Sequence, residues 1–147
     1  MNCARLQIVL ISTLLAAACF AAWAWLRPYD RDPDPAARCE IESVKVSEDH
    51  GYYWVEVFLK TTRDESFDPT KPVKLETADG REISSADLHF APETGNGGLR
   101  FKFWLEARDI SGRLALRIND GKLVIKLRDG KPELGSAGER SFTTSNW

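Results

Sequence analysis

Residues 52–62 read Tyr-Tyr-Trp-Val-Glu-Val-Phe-Leu-Lys-Thr-Thr. Successive side chains of an extended chain point to opposite faces, so Tyr53, Val55, Val57 and Leu59 share one face. Tyr52, Trp54 and Phe58 share the other. A strand that is apolar on both faces belongs inside a sheet, not at its edge.

The same period of two runs outward in both directions. Val44 and Val46 mark a strand that reaches residue 52 through the turn Glu48-Asp49-His50-Gly51. After a loop from Arg63 to Pro72, Val73, Leu75 and Thr77 predict a short strand closed by Asp79-Gly80. A further strand opens near Ile83, and Leu88 and Phe90 continue its apolar pattern before Pro92. Thr94-Gly95-Asn96-Gly97-Gly98 reads as the most flexible loop. Leu99, Phe101, Phe103 and Leu105 then alternate with Arg100, Lys102, Trp104 and Glu106, as a half-buried strand requires. Leu114, Leu116 and Ile118, the turn Asn119-Asp120-Gly121, and Leu123, Ile125 and Leu127 form a hairpin that ends at Asp129-Gly130. Phe142 and Trp147 give the polar tail after Gly135 the character of a last edge strand. About seven short strands with turns every roughly 8 to 12 residues, and no amphipathic helix, predict an all-β, immunoglobulin-like β-sandwich over residues 39–147.

Ahead of this head lies a different kind of sequence. Residues 6–26, LQIVLISTLLAAACFAAWAWL, carry no charge. At about 1.5 Å rise per residue they form a helix of roughly 30 Å, the thickness of a bilayer's hydrocarbon layer. They predict a transmembrane signal-anchor helix after a short tail, 1–5, with the lipid bilayer as partner. Trp23 and Trp25 suit the aromatic belt of a membrane interface, and Arg27 followed by Pro28 ends the run. Two other fates are open. Ala22-Trp23-Ala24 has the small-x-small form of a peptidase site, and Leu15-Ala16-Ala17-Ala18-Cys19 approaches a lipobox, with lipid on Cys19. The length of the run and its flanks favour retention. Orientation is read from two conflicting signals. Arg5 before the helix against Arg27, Arg31 and Arg38 after it favours a cytoplasmic head. The short tail and its α-amine resemble a signal sequence and favour export, periplasmic or extracellular, which is the reading adopted.

Residues 27–38 form a Pro/Asp-rich linker. Pro28, Pro33 and Pro35 with alternating charge predict an extended, solvated spacer. Asp30, Asp32 and Asp34 imitate the opening of a calcium loop, but Pro35 stands where that loop needs glycine and Ile41 where it needs an acid.

The stretches Ile41-Glu42-Ser43-Val44, Tyr53-Trp54-Val55-Glu56-Val57-Phe58-Leu59-Lys60 and Leu75-Glu76-Thr77-Ala78-Asp79-Gly80-Arg81 resemble the telokin-like immunoglobulin-type domains tethered to bacterial envelopes. The likeness covers the first half of the head, with Thr61-Thr62 where the family usually has Asn. It implies a fold and a location, not a reaction.

Chemistry in the head is sparse. The residues after 27 hold 18 Lys and Arg against 22 Asp and Glu, a net charge of −4 with no basic block, so a nucleic-acid partner is not expected. Cys39 is the head's single cysteine, which excludes an internal disulfide. Two histidines, His50 and His89, are too few for a multi-histidine metal site, and no phosphate loop or cysteine pair is present. Cofactors and metals are therefore not expected. Ser84, Ser85, Asp87 and His89 form the one cluster with hydrolytic character, a small membrane-bound hydrolase being the alternative function. Neighbours on a strand point apart, so capping and turn roles explain these residues better. The candidate partner-binding residues are aromatic. Tyr52, Trp54 and Trp104, interleaved with Glu56, Arg100 and Lys102, suit a protein or glycan partner. Plain packing, with Trp54 between the sheets and Trp104 under a loop, is the favoured alternative. The leading expectation is a non-enzymatic interaction or structural module of the cell envelope.

Overall fold

The computed structural model describes residues 3–26, 28–29, 34–61, 67–91 and 98–147. Arg27, Asp30, Asp32 and most of the loops expected after Thr61 and before Gly98 lie outside the described residues.

The uncharged run forms α1 (Cys3–Trp25). Its segment Gln7–Trp25, of mean hydropathy 2.1, is long and apolar enough to cross a membrane. The hydroxyls of Ser12 and Thr13 donate to the carbonyls of Ile8 and Val9 at 2.9 Å each, so neither is left without a partner on an apolar helix.

The head is β1 (Cys39–Asp49), β2 (Tyr52–Thr61), β3 (Lys74–Thr77), β4 (Glu82–Ser84), β5 (Asp87–Ala91), β6 (Gly98–Glu106), β7 (Leu114–Ile118), β8 (Gly121–Lys126) and β9 (Glu139–Phe142). A single helical turn, α2 (Ala107–Ile110), joins β6 to β7. The strands build two antiparallel sheets, in the orders β5-β6-β2-β1-β9 and β4-β3-β7-β8. β2 is internal, as its two apolar faces require. Val55, Val57, Phe101 and Phe103 of the first sheet and Leu75, Leu116, Ile118 and Ile125 of the second belong to one buried core. Each such side chain contributes about 1.5–3 kcal/mol through its burial.

Four local readings change. The pattern from Ile83 to Phe90 is two strands in different sheets: β4 pairs with β3, β5 pairs with β6, and the chain crosses between them at Ser85-Ala86. Alternation reports which face is apolar and not which neighbour a strand takes.

The β7–β8 hairpin contains a bulge. Leu114 pairs with Lys126 but Ala115 pairs with Val124, so Ile125 is the extra residue. The bulge turns Leu127, expected in the core, outward and Lys126 inward to full burial. The Lys126 amine donates to the carbonyls of Gly112 (3.2 Å), Arg128 (2.6 Å) and Gly130 (2.7 Å). Burial pulls its pKa below the ordinary lysine value.

The expected spacer is also more than a spacer. Asp34 caps a 3-10 turn over Pro35–Ala37, accepting from Ala36 N and from Lys122 N of β8, each at 2.9 Å. Ala37 is fully buried, and the Ala37 carbonyl accepts from Asn119 Nδ2 (2.6 Å). Upstream, Tyr29 Oη donates to the carbonyl of Ile125 (2.6 Å) and Pro28 bridges to Thr144. These residues and the C-terminal tail line the outer edge of β8, an edge that would otherwise be open to another strand. The tail itself forms β9, paired with β1 through Val44 and Phe142.

Finally, α2 holds a buried acid no pattern announced: Asp109 accepts from Glu106 N (3.2 Å) and pairs with Arg81 from the β3–β4 turn.

Candidate functional site

Inward positions of β2 and β6 fill the core, which leaves their alternate positions on the outer face of the first sheet. The register sets Trp54 opposite Trp104, Glu56 opposite Lys102 and Phe58 opposite Arg100. The Trp54 and Trp104 rings lie 4.3 Å apart at 59°, and Tyr52 stacks on Trp104 at 5.0 Å and 16°. Neither tryptophan packs between the sheets, which corrects the expected placing of Trp54 there, and the three aromatics form one outward cluster. Its edge is Tyr52, 44% exposed.

Lys102 Nζ sits 4.4 Å from the Trp54 ring centroid, within cation–π range. The Glu56 carboxylate lies between Lys102 Nζ (3.7 Å) and Arg100 (3.6 Å), so two cations share one acid. Arg100 Nε is buried and has no hydrogen-bond partner among the described residues. β5 extends this face with Asp87 beside Lys102 and His89 beside Arg100. Sequence spacing alone places Glu56, Arg100 and Lys102 on the aromatic face. The contribution of β5 follows only from its pairing with β6, which a period of two does not encode.

The possible hydrolytic cluster is half assembled. His89 Nε2 meets Asp87 Oδ2 at 2.5 Å on the exposed outer face. Ser84 belongs to β4 in the other sheet, opposite Lys74, and neither Ser84 nor Ser85 bonds to His89 among the described residues. A nucleophile must lie within hydrogen-bond reach of its base, and among the described residues no serine bonds to His89. Cys39 is equally unsuited: it is buried, its Sγ contacts the Ala37 carbonyl at 3.3 Å, and burial pushes its thiol up to about 12. His50 lies in the exposed β1–β2 turn against Asp49 (2.6 Å). Among the described residues no group of His, Cys, Asp and Glu is arranged to hold a metal ion.

The outer face of the second sheet has a different character. Around a groove of about 650 Å³, Glu82 joins Lys74 (2.5 Å) to Arg117 (2.7 Å), Glu76 meets Lys122 (2.7 Å) and Asp120 meets Lys71 (2.6 Å). These charges satisfy one another and offer no aromatic surface.

In α1, Trp23 packs against Phe20 at 5.7 Å. Trp25 carries the Arg128 guanidinium 4.9 Å from its ring, and its carbonyl accepts from Asn146 Nδ2 (2.8 Å). Arg27, the third expected interface residue, lies outside the described residues. No protein-family model, characterised protein sequence or solved structure matches this chain.

Proposed function

We propose that the chain is a single-pass membrane-anchored protein whose head is an immunoglobulin-like sandwich of the cell envelope. Its work is non-enzymatic, as an interaction or structural module, with the Tyr52-Trp54-Trp104 face as the surface for a protein or glycan partner. Strand order supports the fold reading. Taking β1, β2, β6 and β5 as strands A, B, E and D, and β4, β3, β7 and β8 as C′, C, F and G, reproduces the two-sheet partition of immunoglobulin domains, with β9 added beside A. The likeness to telokin-like envelope domains points the same way.

The observation that carries the functional reading is the aromatic cluster. Three large rings share an outward sheet face that is flanked by two cations and one acid. Tyrosine and tryptophan give large contact area at small entropic cost, which is why such faces anchor partners.

The test is photocrosslinking of the full chain in its own cells, with a benzophenone side chain at Tyr52 or, for comparison, at Lys74 on the opposite sheet. A discrete adduct from position 52 alone is expected, lost in Trp104→Thr, which keeps β-propensity, and kept in His50→Ala and His89→Ala. Equal adducts from both faces, or loss in the histidine variants with folding intact, overturns the reading.

A further inference from the structure

Side chains are described for sixteen of the lysines and arginines. Eleven of these pair with a carboxylate, including Lys45 with Glu139 and Arg108 with Glu106. The remaining five are Arg113, Lys126, Arg128, Lys131 and Arg140. None of these five forms an ion pair among the described residues, and they collect at one end of the sandwich. This end is defined by the start of β7 and the residues after β8, tied together by Gly130 N donating to the Ser111 carbonyl (2.7 Å). It is also the end that receives α1, through Arg128 on Trp25 and Asn146 on the Trp25 carbonyl.

Lys126 is committed to backbone carbonyls inside the fold. Arg128, Lys131 and Arg140 instead line a pocket of about 340 Å³ with Asn146 and Trp147. Asp129 and Glu133 also line it, yet neither pairs with these cations; Arg140 bonds only the Glu133 carbonyl (3.2 Å) and lies 5.3 Å from the Phe142 ring. Guanidiniums held on ring faces keep their in-plane N–H donors free, and that fork matches the oxygens of a phosphate. Trp25 is the last residue of α1 and an aromatic of the kind that sits at headgroup depth, so a cation resting on it lies at the level of lipid phosphates.

We infer that this pocket binds the phosphate of an anionic phospholipid headgroup, with Arg128, Lys131 and Arg140 as its ligands, at the place where α1 leaves the bilayer. The inference rests on α1 lying in the membrane. Carbonate extraction of the full chain reads that premise, and headgroup selectivity reads the pocket, so the two failures are distinguishable.

The experiment is native mass spectrometry of the detergent-solubilised full chain titrated with phosphatidylglycerol or phosphatidylcholine. One phosphatidylglycerol is expected to be retained at about tenfold lower concentration than phosphatidylcholine. The triple variant Arg128→Gln, Lys131→Gln, Arg140→Gln removes that preference. The variant Lys45→Gln, Lys74→Gln, Arg117→Gln, which deletes the same charge elsewhere, retains it. If the first triple variant fails to fold, Lys131→Gln alone, at an exposed position without an ion pair among the described residues, is expected to weaken retention about threefold. Equal retention of both lipids, or equal loss in both triple variants, overturns the site. Displacement of the lipid by inorganic phosphate at comparable concentration assigns the pocket to free phosphate and overturns the lipid.

Discussion

Trp147 donates its indole N–H to Tyr29 Oη at 2.6 Å, joining the segment just after α1 to the C-terminal tail. Tyr29 passes the bond on to the Ile125 carbonyl, and Trp147 stacks on Phe142 at 4.4 Å. The residues that open the linker are thus held by the tail and by β8, and α1 is coupled to the sandwich through hydrogen-bonded contacts. Tyr29→Phe leaves a half-buried indole N–H and a strand carbonyl without their partner, and a loss of about 1–2 kcal/mol in urea unfolding is expected. Tyr29→Phe combined with Trp147→Phe should cost less than the sum of the single changes, because the two residues share one bond.

Lys126 and Leu127 exchange the roles that alternation assigns them. Lys126→Met removes a buried amine from three carbonyls and should cost about 2–4 kcal/mol, whereas Leu127→Ser, on the outside, should change stability by less than about 0.5 kcal/mol. Chemical denaturation of the two variants checks the reversal.

Gly121 permits the linker to dock. A Cβ there would stand 2.2 Å from Ala37 N and 2.7 Å from Ala36 C, both backbone atoms that cannot swing aside. Gly121→Ala is expected to displace the 3-10 turn and destabilise the head by about 1–3 kcal/mol, with faster amide exchange at Ala37 and Lys122 as the local signature.

Cys39 should resist thiol reagents in the folded protein, because it is buried and its pKa stands near 12. A topology assay therefore needs a new handle. In a Cys3→Ser, Cys19→Ser background, Ser136→Cys on the exposed tail loop is expected to react with a membrane-impermeant reagent in intact cells if the head is exported. The parent of that variant should react only after denaturation, and rapid labelling of folded Cys39 would contradict the burial.

Acid should unfold the head through a set of hydrogen-bonded carboxylates. Lys122 N and Ala36 N lower Asp34, the Thr70 hydroxyl lowers Asp68, the Thr77 hydroxyl lowers Asp79, Lys74 and then Arg117 lower Glu82, and Lys71 lowers Asp120. Folded pKa values below the unfolded ones mean that the unfolded chain binds more protons. The stabilisation is fully present above the unfolded carboxylate range near pH 4 and is lost as pH falls through the folded values. Tm is expected to hold from neutrality to about pH 5 and to drop below about pH 4. Glu82→Gln should flatten part of that drop.

Local pattern was enough for much of this. An uncharged run of bilayer length reads as an apolar helix long enough to cross a membrane, and strict alternation in 52–61 and 98–106 marks both the strands and the outward set Tyr52, Trp54, Trp104, Lys102 and Arg100. These are consequences of neighbours along the chain. Pairing is not: only the sheet order sends β4 and β5 to different sheets, leaves Ser84 away from His89 and adds Asp87 and His89 to the aromatic face. The bulge that buries Lys126, the docking of residues 34–37 on Gly121 and the bond between Tyr29 and Trp147 all join distant segments through backbone groups that every residue type carries. Residue identities therefore determined the apolar helix and most strands with their faces, while tertiary structure decided where the Ile83–Phe90 pattern divides, which edges meet, which polar atoms are satisfied, and where unpaired charge is left over.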